Sequence, residues 1–156
     1  MLFRSNTLYL KHKDKAQLER AYNAAKESEL LNEFVPCPPE LLENGGWYEF
    51  QTTNWGTKWD IDLIDTDWID DDKLAVYFNT AWGPPIAWYD KMVELGFELE
   101  ATYNEPGCCF CGSYTNEAGE DYYDYSDLDI SNIPEELIEI YDLENYVDEM
   151  KQSEGE

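Results

Sequence analysis

The sequence predicts an α+β domain built on an antiparallel sheet. Segments with alternating apolar residues, typical of strands, are interleaved with two segments whose apolar residues recur every three or four positions, typical of amphipathic helices. Their order is β-α-β-β-α-β, with an irregular stretch after the first helix, and this is the split βαβ or ferredoxin-like arrangement. We therefore expect a ferredoxin-like antiparallel sheet with helices on one face over residues 1–130. An acidic C-terminal helix with a frayed tail, packed on that domain or extending from it, is expected over residues 131–156.

Residues 6–31 predict the first strand and the first helix. Leu8 and Leu10 alternate with polar neighbours, as in a strand. Behind an Asp14 N-cap, apolar residues at positions 18, 21, 22 and 25 then follow helical spacing as far as residue 31. Three prolines end this helix and permit one short helical turn over residues 39–43.

The middle of the chain predicts a hairpin, a second helix and another strand. Residues 47–59 show no clean period. Residues 61–71 and 73–82 read as two strands joined through residues 70–73, and the second has the highest β-propensity in the chain. Residues 86–95 fit a helix with a proline near its first turn and Gly96 just past its end. Residues 97–105 read as the next strand.

The last third predicts a short β-rich piece and a helix. A strand is expected around residues 110–115, followed by a turn at residues 116–119 and a continuation over residues 122–128. Helical spacing returns at Ile133, with Pro134 at the first helical position. The apolar face of this helix is expected to consist of Leu137, Ile140, Tyr141 and Leu143.

Acidic residues dominate the charge. The chain has 35 acidic and 10 basic residues and a net charge of −25. Residues 120–156 alone hold fourteen acidic residues against one lysine. A field of this sign repels nucleic acid and anionic membranes, and it attracts basic protein surfaces. We therefore expect the partner to be a basic protein surface, with no direct nucleic-acid partner and no membrane partner. The sequence leaves the oligomeric state open.

The termini and the cysteines favour the cytoplasm. We see no signal peptide and no apolar run of the ~20 residues that cross a bilayer. Cys108, Cys109 and Cys111 are too crowded for a disulfide framework, so reduced thiols are expected. Their C-x-x-C spacing is half of a zinc site, but only the distant Cys37 and His12 could complete it. No metal site is predicted.

The sequence also lacks a catalytic constellation. His12 is the single histidine, and no serine or cysteine is paired with it by spacing. The sequence contains no phosphate-binding glycine-rich loop, and no two carboxylates stand out as an acid and base pair. We expect a protein that binds rather than an enzyme, and no cofactor.

Three ordered motifs resemble a known family. They are NWGTKWD at residues 54–60, FNTAWGPP at residues 78–85 and YNEPG at residues 103–107. The chain resembles the YubB ferredoxin-like domain family of phage and plasmid proteins over about residues 35–120. The resemblance implies a ferredoxin-like fold and an origin on a mobile genetic element, and it implies no particular activity.

Two hypotheses for function follow. In the first, the chain is an acidic protein-binding module of a phage or plasmid that inhibits a host defence or nucleic-acid-handling protein by imitating the charge of nucleic acid. The carboxylates expected to bind that partner are Asp62, Asp65, Asp67, Asp70, Asp71, Asp72, Glu135, Glu136, Glu139 and Asp142. In the alternative, the aromatic centre, which also suits a buried core, binds a small molecule or a nucleotide base. That pocket would be formed by Trp55, Lys58, Trp59, Trp82 and Glu105.

Overall fold

A computed structural model describes residues 4–81 and 83–154 and shows one six-stranded antiparallel sheet. The strands are β1 (Arg4–Lys11), β2 (Asp62–Asp70), β3 (Lys73–Thr80), β4 (Glu98–Glu105), β5 (Phe110–Thr115) and β6 (Gly119–Asp124). They lie in the order β2-β3-β1-β4-β5-β6, and every neighbouring pair is antiparallel. The first four strands form the ferredoxin-like sheet, so the predicted fold class is confirmed. The β5–β6 hairpin extends this sheet beyond β4.

The helices are α1 (Lys15–Lys26), α2 (Leu30–Phe34), α3 (Pro39–Asn44), α4 (Trp47–Asn54), α5 (Ile86–Glu94), α6 (Glu135–Ile140) and α7 (Leu143–Glu154). Helices α1 and α5 are the two helices of the split βαβ unit. Asp14 caps α1 as predicted, because its carboxylate accepts the Ala16 N–H at 3.0 Å. No helix in the described part of the chain is long and apolar enough to cross a membrane.

The main core lies between one face of the sheet and helices α1 and α5, and we call this side the helix face. Leu8 and Leu10 of β1 and Val76 and Phe78 of β3 are fully buried there. Trp88 of α5 is also fully buried, and its indole N–H donates to the Leu31 carbonyl of α2 at 3.2 Å. The helix face therefore holds the largest apolar cluster and ties the connecting helices to it.

A partly buried carboxylate, that of Asp60, caps the start of α2. Asp60 accepts the backbone N–H groups of Leu31 and Asn32 at 2.9 Å and that of Ile61 at 2.8 Å. It thus satisfies helix N–H groups that Glu29, at the N-cap, leaves without a side-chain acceptor. Burial raises the pKa of Asp60 to about 6, although these three N–H groups act in the opposite direction.

The C-terminal extension packs on the other side of the sheet, which we call the open face because only part of it is covered. The Tyr125 hydroxyl donates to Asn104 Oδ1 of β4 at 2.6 Å, and the Tyr141 hydroxyl lies 2.9 Å from Thr102 Oγ1. Asn104 and Thr102 alternate with the core residues of β4, so they point away from the helix face. The second apolar cluster consists of Cys111, Tyr125, Leu128, Ile133, Leu137, Leu143 and Val147.

The structure differs from the sequence prediction mainly in its helices. The helix expected over residues 14–31 is interrupted at Ser28, whose φ of 55° places it in the left-handed region. Helix α4 forms where no period was visible, and tertiary contacts such as the bond from the Gln51 amide to the Lys58 carbonyl hold it. The C-terminal helix breaks at Asp142, with φ 50°, into α6 and α7, and Pro134 is its N-cap rather than its first residue. Helix α7 reaches Glu154, into the segment expected to be frayed.

Candidate functional site

The carboxylates of β2 form a row on the open face, and we call it the acidic row. The four members pair with alternate residues of β3: Asp62 with Asn79, Asp65 with Tyr77, Asp67 with Ala75 and Asp70 with Lys73. Directly opposed residues of antiparallel strands share a face. The register shifts between residues 63 and 65 and between residues 68 and 70 absorb the extra residues in the spacing, so all four carboxylates stay on one side. All four are exposed.

The carboxylates at the turn between β2 and β3 have different electrostatic surroundings from those in the middle of the acidic row. Asp70 accepts the Asp72 N–H at 3.0 Å, and the interaction with Asp72 lowers the pKa of Asp70 while the same interaction raises the pKa of Asp72. Lysines surround this turn: Lys15 lines a groove with Asp70 and Asp71, and Lys11 lines one with Asp72. The chain's own cations therefore compete for these three carboxylates. Asp62, Asp65 and Asp67 are the more available part of the predicted set.

The second predicted acidic set lies on and just after α6. Glu135, Glu136, Glu139 and Asp142 are all exposed. Only Glu136 of this set lines the groove that runs between α6 and the open face of the sheet. The structure therefore brings Glu136 to the same side of the sheet as the acidic row.

This groove, which we call the tyrosine groove, has a volume of about 480 Å³. Its floor includes Tyr9 and Tyr77, and Glu100 and Glu136 contribute carboxylates to its lining. Tyr77 pairs with Asp65, so the groove adjoins the acidic row. A hydrogen bond with Tyr9 is the main cause that raises the pKa of Tyr77, and burial and the charges of Asp67 and Asp65 add to it.

The predicted aromatic pocket divides into buried and exposed parts. Trp55 is 3% exposed and donates its indole N–H to the Val35 carbonyl at 2.8 Å, as a core tryptophan does. Trp59 is 42% exposed and stacks on Trp47 with ring centroids 5.1 Å apart. The Lys58 ammonium lies 4.8 Å from the Trp59 ring centroid.

The remaining two members of that predicted pocket are Glu105 and Trp82. Glu105 is buried at the end of β4, where its carboxylate accepts the Gly107 N–H at 2.8 Å. Trp82 lies outside the described residues.

The contacts of His12 and Cys111 are those of residues that support the fold. The His12 ring nitrogens contact two backbone groups: Nδ1 accepts the Asp14 N–H at 2.9 Å, and Nε2 lies 3.1 Å from the Leu95 carbonyl oxygen. Cys111 is buried in the second cluster, and burial raises the pKa of its thiol to about 11. Over residues 4–81 and 83–154, no group of three or more His, Cys, Asp or Glu side chains is placed to hold a metal ion.

Sequence reasoning missed three residues of the tyrosine groove. Tyr9, Tyr77 and Glu100 lie on three different strands, and each looks like an ordinary polar-face residue of its own strand. The available signal was the alternation itself, since Tyr9 and Tyr77 occupy the positions between buried residues. Only the strand order places them side by side.

The comparison with known proteins identifies one family. The sequence profile described as the ferredoxin-like domain in Api92-like protein matches residues 55–146. The match begins after β1 and α1 and includes β2 to β6 and α6. No curated protein and no solved structure matches the chain.

Proposed function

The chain belongs to the family of the ferredoxin-like domain in Api92-like protein, and from this premise we propose that it is a binding module that presents a carboxylate-rich face to a basic protein. The family description gives a fold and no activity, so the proposal depends on the chemistry of the open face. The proposed function is binding and not catalysis.

The acidic row is the observation that carries this proposal. Two register shifts in one strand keep Asp62, Asp65, Asp67 and Asp70 on the same side, although their spacing along the chain is irregular. β2 is an edge strand, so a partner can approach the row from the side as well as from above. Exposed carboxylates on an open face speed the encounter with a basic surface and orient it.

The spacing of the row supports imitation of nucleic acid. Side chains on one face of a strand recur every ~6.6–6.8 Å, which is twice the ~3.4 Å rise per charge along one DNA strand. With a net charge of −25, the chain offers an extended anionic surface to a protein that normally holds phosphates. We infer that the partner handles nucleic acid and that the chain inhibits it by occupying that surface.

The biological setting of the proposal comes from the sequence motifs. Their resemblance to the YubB domains of phage and plasmid proteins supports an origin on a mobile genetic element. A host defence protein or a host nucleic-acid-handling protein is then a sensible target in the host cytoplasm.

The test compares two variants with equal loss of charge. The row variant changes Asp62, Asp65, Asp67 and Asp70 to asparagine. The control changes four exposed glutamates on the helices to glutamine: Glu40, Glu43, Glu49 and Glu94. We expect wild type and control to capture the same protein from a lysate at about 0.15 M salt, the row variant to lose it, and duplex DNA to compete for it.

Two results would overturn the proposal. Equal capture by all three proteins would show that the row is not the interface. Charged residues and bulges also protect edge strands from pairing with other chains. If the row variant keeps its partner but forms oligomers in sedimentation experiments, the acidic row protects the edge strand β2 from pairing with other chains and does not bind the partner.

The stacked Trp47–Trp59 pair favours a second candidate function. The exposed indole of Trp59 stacks on the half-buried Trp47, and the Lys58 ammonium lies 4.8 Å from the Trp59 ring centroid. Such an aromatic and cationic surface is one on which a planar ring can stack. This candidate predicts that uncharged nucleosides quench tryptophan fluorescence with little dependence on salt, and that Trp59→Ala abolishes the quenching. Unchanged fluorescence at millimolar nucleoside would reject it.

A further inference from the structure

The tyrosine groove is a part of the open face that no helix covers. It lies where β1, β3, β4 and β5 are left uncovered beside α6. Thr7, Thr102 and Ser113 line it together with the two tyrosines, and the Thr102 hydroxyl is also hydrogen-bonded to that of Tyr141. Ile140 of α6, which is 48% exposed, supplies an apolar wall.

The lining suits a cation attached to an apolar stem. Glu100 and Glu136 supply two carboxylates, and all the remaining polar groups named above can accept hydrogen bonds. Aromatic rings attract cations over their faces. The Lys73 ammonium already makes such a contact, 4.9 Å from the centroid of the Tyr9 ring, and it lines a small recess with Glu100, so an incoming cation competes with this lysine. An apolar wall beside the carboxylates can pack against the methylene groups of a long basic side chain.

We propose that the tyrosine groove receives an arginine side chain from the basic segment that docks along the acidic row. The inference rests on the proposed function and deepens it, since it names the side chain that anchors the partner. Arginine fits better than lysine because its planar guanidinium stacks on aromatic rings and donates several hydrogen bonds in fixed directions to carboxylates. Asp65, which pairs with Tyr77, places the rest of the acidic row next to this anchor.

The test uses an oligo-arginine peptide and an oligo-lysine peptide of equal length as probes. Calorimetry at about 0.15 M salt measures their affinity for wild type, for Glu100→Gln/Glu136→Gln and for Glu43→Gln/Glu49→Gln. The second double variant loses the same charge, and its residues lie outside the groove lining. We expect the groove variant to bind oligo-arginine about tenfold more weakly and the control to stay within about twofold of wild type.

A substitution that fills the groove provides a second measurement. Ile140→Arg places a resident guanidinium in the groove, and Leu42→Arg adds the same charge at a residue that is 59% exposed and outside the groove lining. We expect Ile140→Arg to weaken the binding of oligo-arginine about tenfold and Leu42→Arg to weaken it about twofold at most. Thermal unfolding of each variant checks that its fold is intact.

The outcomes separate this inference from the proposed function. If both double variants lose affinity equally, or if wild type binds the two peptides equally well, the groove is not an arginine site, while the acidic face remains a binding surface. If wild type binds neither peptide at this salt concentration, both the groove and the proposed function are rejected.

Discussion

The two faces of the sheet are formed by the same strands but differ in chemistry. On the helix face, β1 and β3 present leucine, valine and phenylalanine that are fully buried under α1 and α5. On the open face, the intervening residues Thr7, Tyr9 and Tyr77 line a groove instead of a core. The period of two in a strand makes this division possible, because a change at one position leaves the other face unaltered. Stability is therefore concentrated on the helix face, and the open face can change its charge at little cost.

The C-terminal extension buries one part of the open face, so the contrast between the two faces does not hold there. It covers only part of the open face, and it does so with tyrosine hydroxyls that bond to Asn104, Thr102 and the Pro106 carbonyl. Polar contacts of this kind fix position more than they add stability. The extension thus leaves the tyrosine groove and the acidic row uncovered.

The largest expected effect lies on the helix face. Trp88→Ala removes a fully buried ring and its bond to Leu31, and we expect it to lower the free energy of unfolding by about 3–5 kcal/mol. Tyr77→Ala, on the open face, should cost roughly 1 kcal/mol. Urea denaturation monitored by circular dichroism measures both. Equal losses for the two variants would contradict the assignment of stability to the helix face.

The next expected effect contrasts a partly buried carboxylate, that of Asp60, with one in the exposed acidic row. Burial raises the pKa of Asp60 in the folded chain to about 6, above its usual 3.8, so the folded state binds the proton more tightly. Its contribution to stability is then full below about pH 4 and declines by about 2–3 kcal/mol as the pH rises to about 6. We expect Asp60→Asn to remove this part of the pH dependence and Asp65→Asn to leave it.

Unfolding free energies at pH 4 and pH 6 measure that contrast. A pH dependence that is the same in Asp60→Asn as in wild type would assign it to general repulsion among the carboxylates instead.

The smallest effects come from two fully buried tyrosines, one on each side of the sheet. The Tyr125 hydroxyl donates to Asn104, so Tyr125→Phe should destabilise by about 1–2 kcal/mol because it leaves a buried amide oxygen unsatisfied. The Tyr89 hydroxyl has no hydrogen-bond partner among the described residues. Tyr89→Phe should therefore be neutral or stabilise by up to ~1 kcal/mol. Thermal melts of both variants give the sign, and a shared sign would refute the comparison.

Local patterns in the sequence determined most of the fold. The alternation in residues 6–12 and 73–82, the Asp14 cap and the helical spacing in residues 86–95 each appear in the structure as predicted. Helix α4 did not follow from pattern, because its sequence has little amphipathic period. Contacts outside the helix hold it, among them the bond from its C-cap Trp55 to the Val35 carbonyl. Asp60 likewise looked like one more acidic residue, since its role as a cap depends on residues about thirty positions away.

By itself, the sequence determined the class of fold, the order of the elements and the excess of carboxylates, because each of these depends on composition or on neighbours within a few positions. Only the tertiary structure decided which carboxylates share a surface. The register shifts of β2 align Asp62, Asp65 and Asp67, and the packing of α6 brings Glu136 to the same side, beside Tyr9 and Tyr77. Whether distant residues share a surface depends on strand register and on which face a helix covers, and neither is fixed by the local pattern of residues.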